Sequence, residues 1–169
     1  MSVIDSARQH AKHLVAKAAE KVTDHAGADS PVQAVTIGRP RPEVVALFTD
    51  PDRLSRVFGD VAAVESIGPD RQRWTFGSDT AWECVVGVDD DSHVRFVDAR
   101  PDGTTSVALT FRDAPSDRGT EVIARLSTPG PGALTGALAF KVLYRARALL
   151  MTGEIPTIVR NPSARASAR

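Results

Sequence analysis

The sequence predicts an α+β fold: a curved antiparallel sheet of seven strands wrapped around one long C-terminal helix, with two short helices between the first and second strands. Three observations carry this. Short runs of alternating apolar and polar residues lie between strong turn signals, two proline-opened helical segments stand near the start of the domain, and one Ala- and Leu-rich segment near its end suffices for about five helical turns.

The elements follow in order. Val32–Ile37 (VQAVTI) reads as a short strand ended by Gly38. Pro42 opens a first helix with Val44, Val45, Leu47 and Phe48 on its apolar side, and Asp50-Pro51 stops it. Asp50 also caps a second helix with Pro51 at its first position; Leu54, Val57 and Phe58 form its buried stripe and Gly59 ends it. Six strand candidates follow, separated by turns at Gly68-Pro69-Asp70, Gly77-Ser78-Asp79, Asp89-Asp90-Asp91-Ser92, Pro101-Asp102-Gly103 and Ser116-Asp117-Arg118-Gly119. Trp82, Cys84, Val86 and Val88 share one face of their strand; so do Val94 and Phe96, then Val107, Leu109 and Phe111, then Val122, Ala124 and Leu126. Short connections between alternating strands imply an antiparallel meander with one face on a core.

That face needs a cover, and the segment from about Ala133 to Met151 supplies it, with Leu134, Leu138, Val142 and Leu149 recurring on one side. One helix leaves much of a seven-stranded concavity unfilled, so an apolar cavity is expected between sheet and helix. Its expected wall is Trp74, Phe76, Trp82, Cys84, Val86, Phe96, Val107, Leu109, Phe111, Leu138, Val142 and Tyr144.

Outside this domain (31–156) the composition changes. Residues 1–30 carry three of the four lysines and no aromatic residue, with Ile4, Ala7, Ala11, Leu14, Val15, Ala18 and Val22 at helical spacing. They read as an amphipathic helical extension docked on the domain or a partner. His10 and His13, one turn apart, suit either a metal or an exposed polar face. Residues 157–169 are Ser-, Ala- and Arg-rich and read as a flexible tail. The whole chain has 21 basic and 21 acidic residues, so no net field draws it to nucleic acid or an anionic membrane. The lone Cys84 cannot form an internal disulfide, which suits a reducing compartment. No stretch reaches the roughly 20 apolar residues of a membrane span, and the N-terminus lacks a secretory h-region; a cytoplasmic protein is the expectation.

Three segments carry a resemblance. Thr36-Ile37-Gly38-Arg39-Pro40-Arg41-Pro42-Glu43-Val44 is similar to a strand running into a proline-opened helix, Phe48-Thr49-Asp50-Pro51-Asp52-Arg53-Leu54 to a helix–helix junction, and Met151-Thr152-Gly153-Glu154-Ile155-Pro156-Thr157 to the ending after a long helix, in the SRPBCC superfamily. Over residues 31–157 the chain resembles its polyketide cyclase/dehydrase-like members, relatives of the START lipid-transfer domains and the birch-pollen allergen. The resemblance implies the helix-grip fold and a cavity for a lipid, sterol or polyketide. It allows a carrier or sensor of a hydrophobic small molecule, an aromatic polyketide cyclase or dehydratase, or an interaction module acting through the N-terminal helix.

An aldol cyclase needs a base beside a carbonyl and donors for the enolate. Tyr144, the only tyrosine, is the catalytic candidate: its phenol either enters the cavity or sits at the rim with its ring buried. The other polar candidates are Arg145 and Arg147, expected to face solvent unless one gates a carboxylate at the cavity mouth, Glu83, expected on the outer face, and His93, a residue of the acidic turn or a base. Gly130-Pro131-Gly132 reads as a chain reversal. Nucleophile-elbow, zincin, Walker and cysteine-cluster signatures are absent, so no cofactor or metal is expected. The inward faces are poor in acids and bases, which favours a carrier over an enzyme.

Overall fold

The computed structural model describes residues 31–127 and 135–156. The expected N-terminal helix with His10 and His13, the Gly-Pro-Gly reversal and the tail 157–169 lie outside the described residues.

Strand β1 (Val32–Ile37) leads into α1 (Arg41–Thr49) and α2 (Pro51–Phe58). Asp50 is extended between the two helices, and its carboxylate accepts hydrogen bonds from the Asp52 and Arg53 backbone N–H groups at 2.9 and 3.2 Å. Two donors that the first turn of α2 leaves open are thereby satisfied, with Pro51 following where it has no N–H to lose. Gly59 closes α2 with φ of 62° and a bond from its N–H to the Ser55 carbonyl. Strands β2 (Ala62–Gly68), β3 (Arg71–Phe76), β4 (Thr80–Asp89), β5 (His93–Asp98), β6 (Ser106–Asp113) and β7 (Thr120–Leu126) then form the meander. The sheet order is β1-β7-β6-β5-β4-β3-β2, and every neighbouring pair is antiparallel.

Alternation sorts the side chains as the strand period requires. Trp74, Phe76, Trp82, Cys84, Val94, Phe96, Val107, Leu109, Phe111, Val122, Ala124 and Leu126 are all buried. Val88 has the same parity as Trp82 but is 49% exposed, near the end of β4.

Helix α3 (Gly136–Thr152) covers the concave face. It starts later than the expected Ala133 because Thr135 is extended and caps it, its hydroxyl accepting from the Leu138 N–H at 3.2 Å. Gly153, at φ of 78°, ends it. The helix lies along β1, its first turn beside Pro31 and Met151 beside Gly38. Polar contacts tie down its C-terminal half. The Arg39 guanidinium donates to the Leu150 carbonyl at 2.9 Å. Arg145, expected to face solvent, instead has a side chain only 14% exposed and donates to the Phe58 and Val57 carbonyls at 2.7 and 3.3 Å. A cation there satisfies open carbonyls at the negative end of α2, and Asp60 completes the contact at 3.3 Å. Among the described residues no helix is long and apolar enough to cross a membrane.

Candidate functional site

A cavity of about 40 Å³ lies between the concave face of the sheet and the N-terminal half of α3. Phe48 comes from α1 and Leu54 and Phe58 from α2; Trp74, Phe96, Val107, Leu109, Ala124 and Leu126 come from the sheet; Leu138, Ala139, Val142 and Leu143 come from α3. Every one of these residues is apolar or aromatic. The frame is aromatic: Trp74 meets Phe58 and Phe96 edge-on at centroid distances of 5.1 and 5.0 Å. The polar atom of Trp74 is occupied elsewhere, its indole N–H donating to the Gln72 side-chain oxygen at 3.0 Å. Gln72 in turn donates toward the Thr49 carbonyl at 3.4 Å. The cavity wall is thus left without a free donor or acceptor on its side chains.

Of the twelve positions expected from sequence, Trp74, Phe96, Val107, Leu109, Leu138 and Val142 line this cavity. Phe76 and Trp82 pack against Trp74 at 6.4 and 5.2 Å, and Phe111 packs against Phe48 at 5.8 Å. Val86 is half-buried toward the open end of β4, and Cys84 is buried between Gln72 and Asp98 in the sheet register. Tyr144 lies on the outer face of α3, 52% exposed and stacked on Phe140 at 6.5 Å. Helical geometry accounts for this: Val142, Leu143 and Ala146 face inward, which turns Tyr144 outward. Glu83 pairs with Arg73 at 2.7 Å on the convex face, where His93 also lies, and Arg147 is exposed. Among the described residues no titratable side chain lines the cavity.

The inward face does hold one buried acid, which sequence reading passed over. Asp98 continues the parity of Val94 and Phe96, and its side chain is 1% exposed. Burial pushes its carboxyl up, but the Arg100 guanidinium, at 2.9 and 3.0 Å, and the Arg100 backbone N–H outweigh burial and hold it below the ordinary value. The Trp82 indole N–H, buried without a hydrogen bond within normal reach, adds a weaker pull. The turn after β5 closes tightly over this group, since a side chain at Gly103 would collide with the Asp98 carboxyl carbon. Asp98→Asn should cost about 2 kcal/mol at pH 7, because it weakens a charge-assisted, bidentate contact inside the fold. A depressed folded pKa gives stability that is complete above the unfolded value of about 3.9 and lost as pH falls through the folded value. Urea unfolding should therefore show the two proteins converging in acid as the wild type weakens.

Cys84 is inert for the opposite reason. Burial, with the Asp98 charge adding to it, pushes its thiol up to about 12, and the Gln72 backbone N–H offsets only part of this. Without thiolate there is no nucleophile. The native chain should leave a disulfide reagent unreacted at pH 8 over hours and react within minutes in denaturant, as followed by thiol release.

No family model matches the chain, and no curated protein matches its sequence. Solved structures do. A Deinococcus radiodurans protein is 27% identical, matches over 73% of this chain and 97% of its own, and superposes with a TM-score of 0.58. The di-domain ARO/CYC protein StfQ of the steffimycin biosynthetic pathway is 18% identical, with a TM-score of 0.56 over 70% of this chain and 44% of its own. The Aha1 dimer protein of Colwellia psychrerythraea is 12% identical, with a TM-score of 0.57 over 74% of this chain and 98% of its own.

Proposed function

We propose that this chain, which has the helix-grip fold of polyketide cyclase-like SRPBCC proteins, holds a hydrophobic small molecule between its sheet and α3 as a carrier or sensor. One observation carries the reading: all thirteen wall residues are apolar or aromatic, and none can take or give a proton at neutral pH. Such a wall stabilises a ligand by about 25 cal/mol per Å² of apolar surface removed from water, and stays dry when empty. It offers nothing to polarise a carbonyl.

The volume limits what enters without movement. About 40 Å³ admits only a small apolar fragment, so a lipid or polyketide must displace part of the wall. The N-terminal half of α3 is the part suited to give. Leu138, Ala139, Val142 and Leu143 hold it by apolar contact, whereas Arg145 and Arg39 anchor the half beyond. Native mass spectrometry of the full chain purified without detergent, followed by solvent extraction, tests the reading. One apolar species at 1:1 stoichiometry is expected; a chain that carries none, and takes up none from an offered mixture of fatty acids, sterols and aromatic polyketides, contradicts it.

A further inference from the structure

Helix α3 presents two exposed rings on its outer side, between ends that meet the β1 segment. Phe140, Tyr144 and Met151 are 57%, 52% and 46% exposed, and Phe140 and Tyr144 stack with their planes 18° apart. These positions share a stripe with Gly136 and the exposed Arg147, since steps of three, four and seven residues return to one side of a helix. Gly136 is where the chain enters the domain: a side chain added there would lie 3.2 Å from the Pro31 ring. Pro31, to which residues 1–30 are joined, therefore lies at the first turn of this stripe.

We infer that residues 1–30 of the same chain dock along this face of α3, covering Phe140 and Tyr144. The lengths agree. The Ile4–Val22 stripe, read as a helix, is about 28 Å long, and the stretch from Gly136 to Met151 rises about 22 Å. The eight residues between Val22 and Pro31 span at most about 28 Å, enough to fold the segment back over α3. The shapes agree as well. Ala7, Ala11 and Ala18 make a shallow stripe that lets a helix approach closely, and two projecting rings on α3 fill the space that small side chains leave. An alanine-rich helix of this length is marginal alone in water and gains from such a surface. Because α3 also supplies four residues to the cavity wall, the docked segment holds the helix on both sides.

The single tyrosine makes the test direct, and the outcome does not depend on whether the cavity binds a ligand. The full chain is labelled with 3-fluorotyrosine, and the relaxation of its one fluorine signal by a soluble gadolinium chelate is compared with that of Leu14→Asp/Val15→Asp. These substitutions lie outside the helix-grip domain, and tryptophan emission from buried Trp74 and Trp82 reports that the domain stays folded. At least fivefold weaker relaxation in the wild type, unchanged on dilution, is expected. Equal relaxation in the two proteins overturns the inference. So does protection that disappears on dilution together with a dimer mass, since a second copy would then be the occupant.

Discussion

Ala139→Phe is expected to abolish capture of an apolar ligand while leaving the fold in place. Ala139 is half-buried on α3 and faces the cavity, so a phenyl ring added there enters the space a ligand would take. A cavity of about 40 Å³ has no room for both. The ring lands among apolar neighbours and its overpacking strain is about 1–3 kcal/mol at most, eased because the position is not fully buried. Binding of the fluorescent probe N-phenyl-1-naphthylamine should weaken at least tenfold. Val88→Ala, at an exposed position that does not line the cavity, should leave probe binding unchanged. If Ala139→Phe binds as tightly as the wild type, the ligand does not sit against α3.

Gly119→Ala is expected to be the most damaging single methyl addition. Gly119 precedes β7 with φ of 102°, a conformation that side chains rarely adopt. A Cβ there would overlap the Ile37 carbonyl oxygen and come within 2.7 Å of the Arg39 backbone N. Those neighbours are main chain, and they cannot swing aside as a side chain would. The region is also held from the other side, with the Thr120 hydroxyl donating to the Arg39 carbonyl at 2.9 Å. Relief would part β1 from β7 where their pairing ends, at Ile37 and Thr120. A loss of about 4 kcal/mol, or roughly 15 °C in Tm, is expected in thermal unfolding by circular dichroism. Gly77→Ala, also at positive φ but with nothing near the added methyl, should cost about 1 kcal/mol.

The contrast between what the chain reveals and what it hides is physical. Strand parity is local, so Trp74, Phe96, Val107 and Leu109 could be assigned to the inner face from alternation alone. Turn chemistry and the Asp50-Pro51 cap are equally local, and they place the two short helices. Parity gives the side of a sheet but not the distance along it. Phe76, Trp82 and Phe111 share the inner face with the cavity residues yet pack against other rings instead of lining the space. Phe48, Leu54 and Phe58 were legible as buried helix stripes; that they form a wall of the cavity depends on how α1 and α2 lie across the sheet. Rotation about α3 was harder still, because its apolar residues occupy most of its circumference. Two consequences followed: Tyr144 turns outward, and Arg145, whose partners are carbonyls 87 and 88 residues away, folds inward. Asp98 had a usable signal in its parity with Val94 and Phe96. An acid at the end of a strand reads as a turn residue until its partner Arg100 and the closing turn at Gly103 are seen.

A methyl NMR titration of the full chain with a medium-chain fatty acid and a fused aromatic tests whether an apolar ligand sits between the sheet and α3. Saturable shifts shared by the methyl groups of Leu109, Leu126, Leu138, Val142 and Leu143 are expected, with exposed Val88 unmoved. Still cavity methyls beside a moving Val88, or no saturable shift with any apolar compound offered, would contradict that placement.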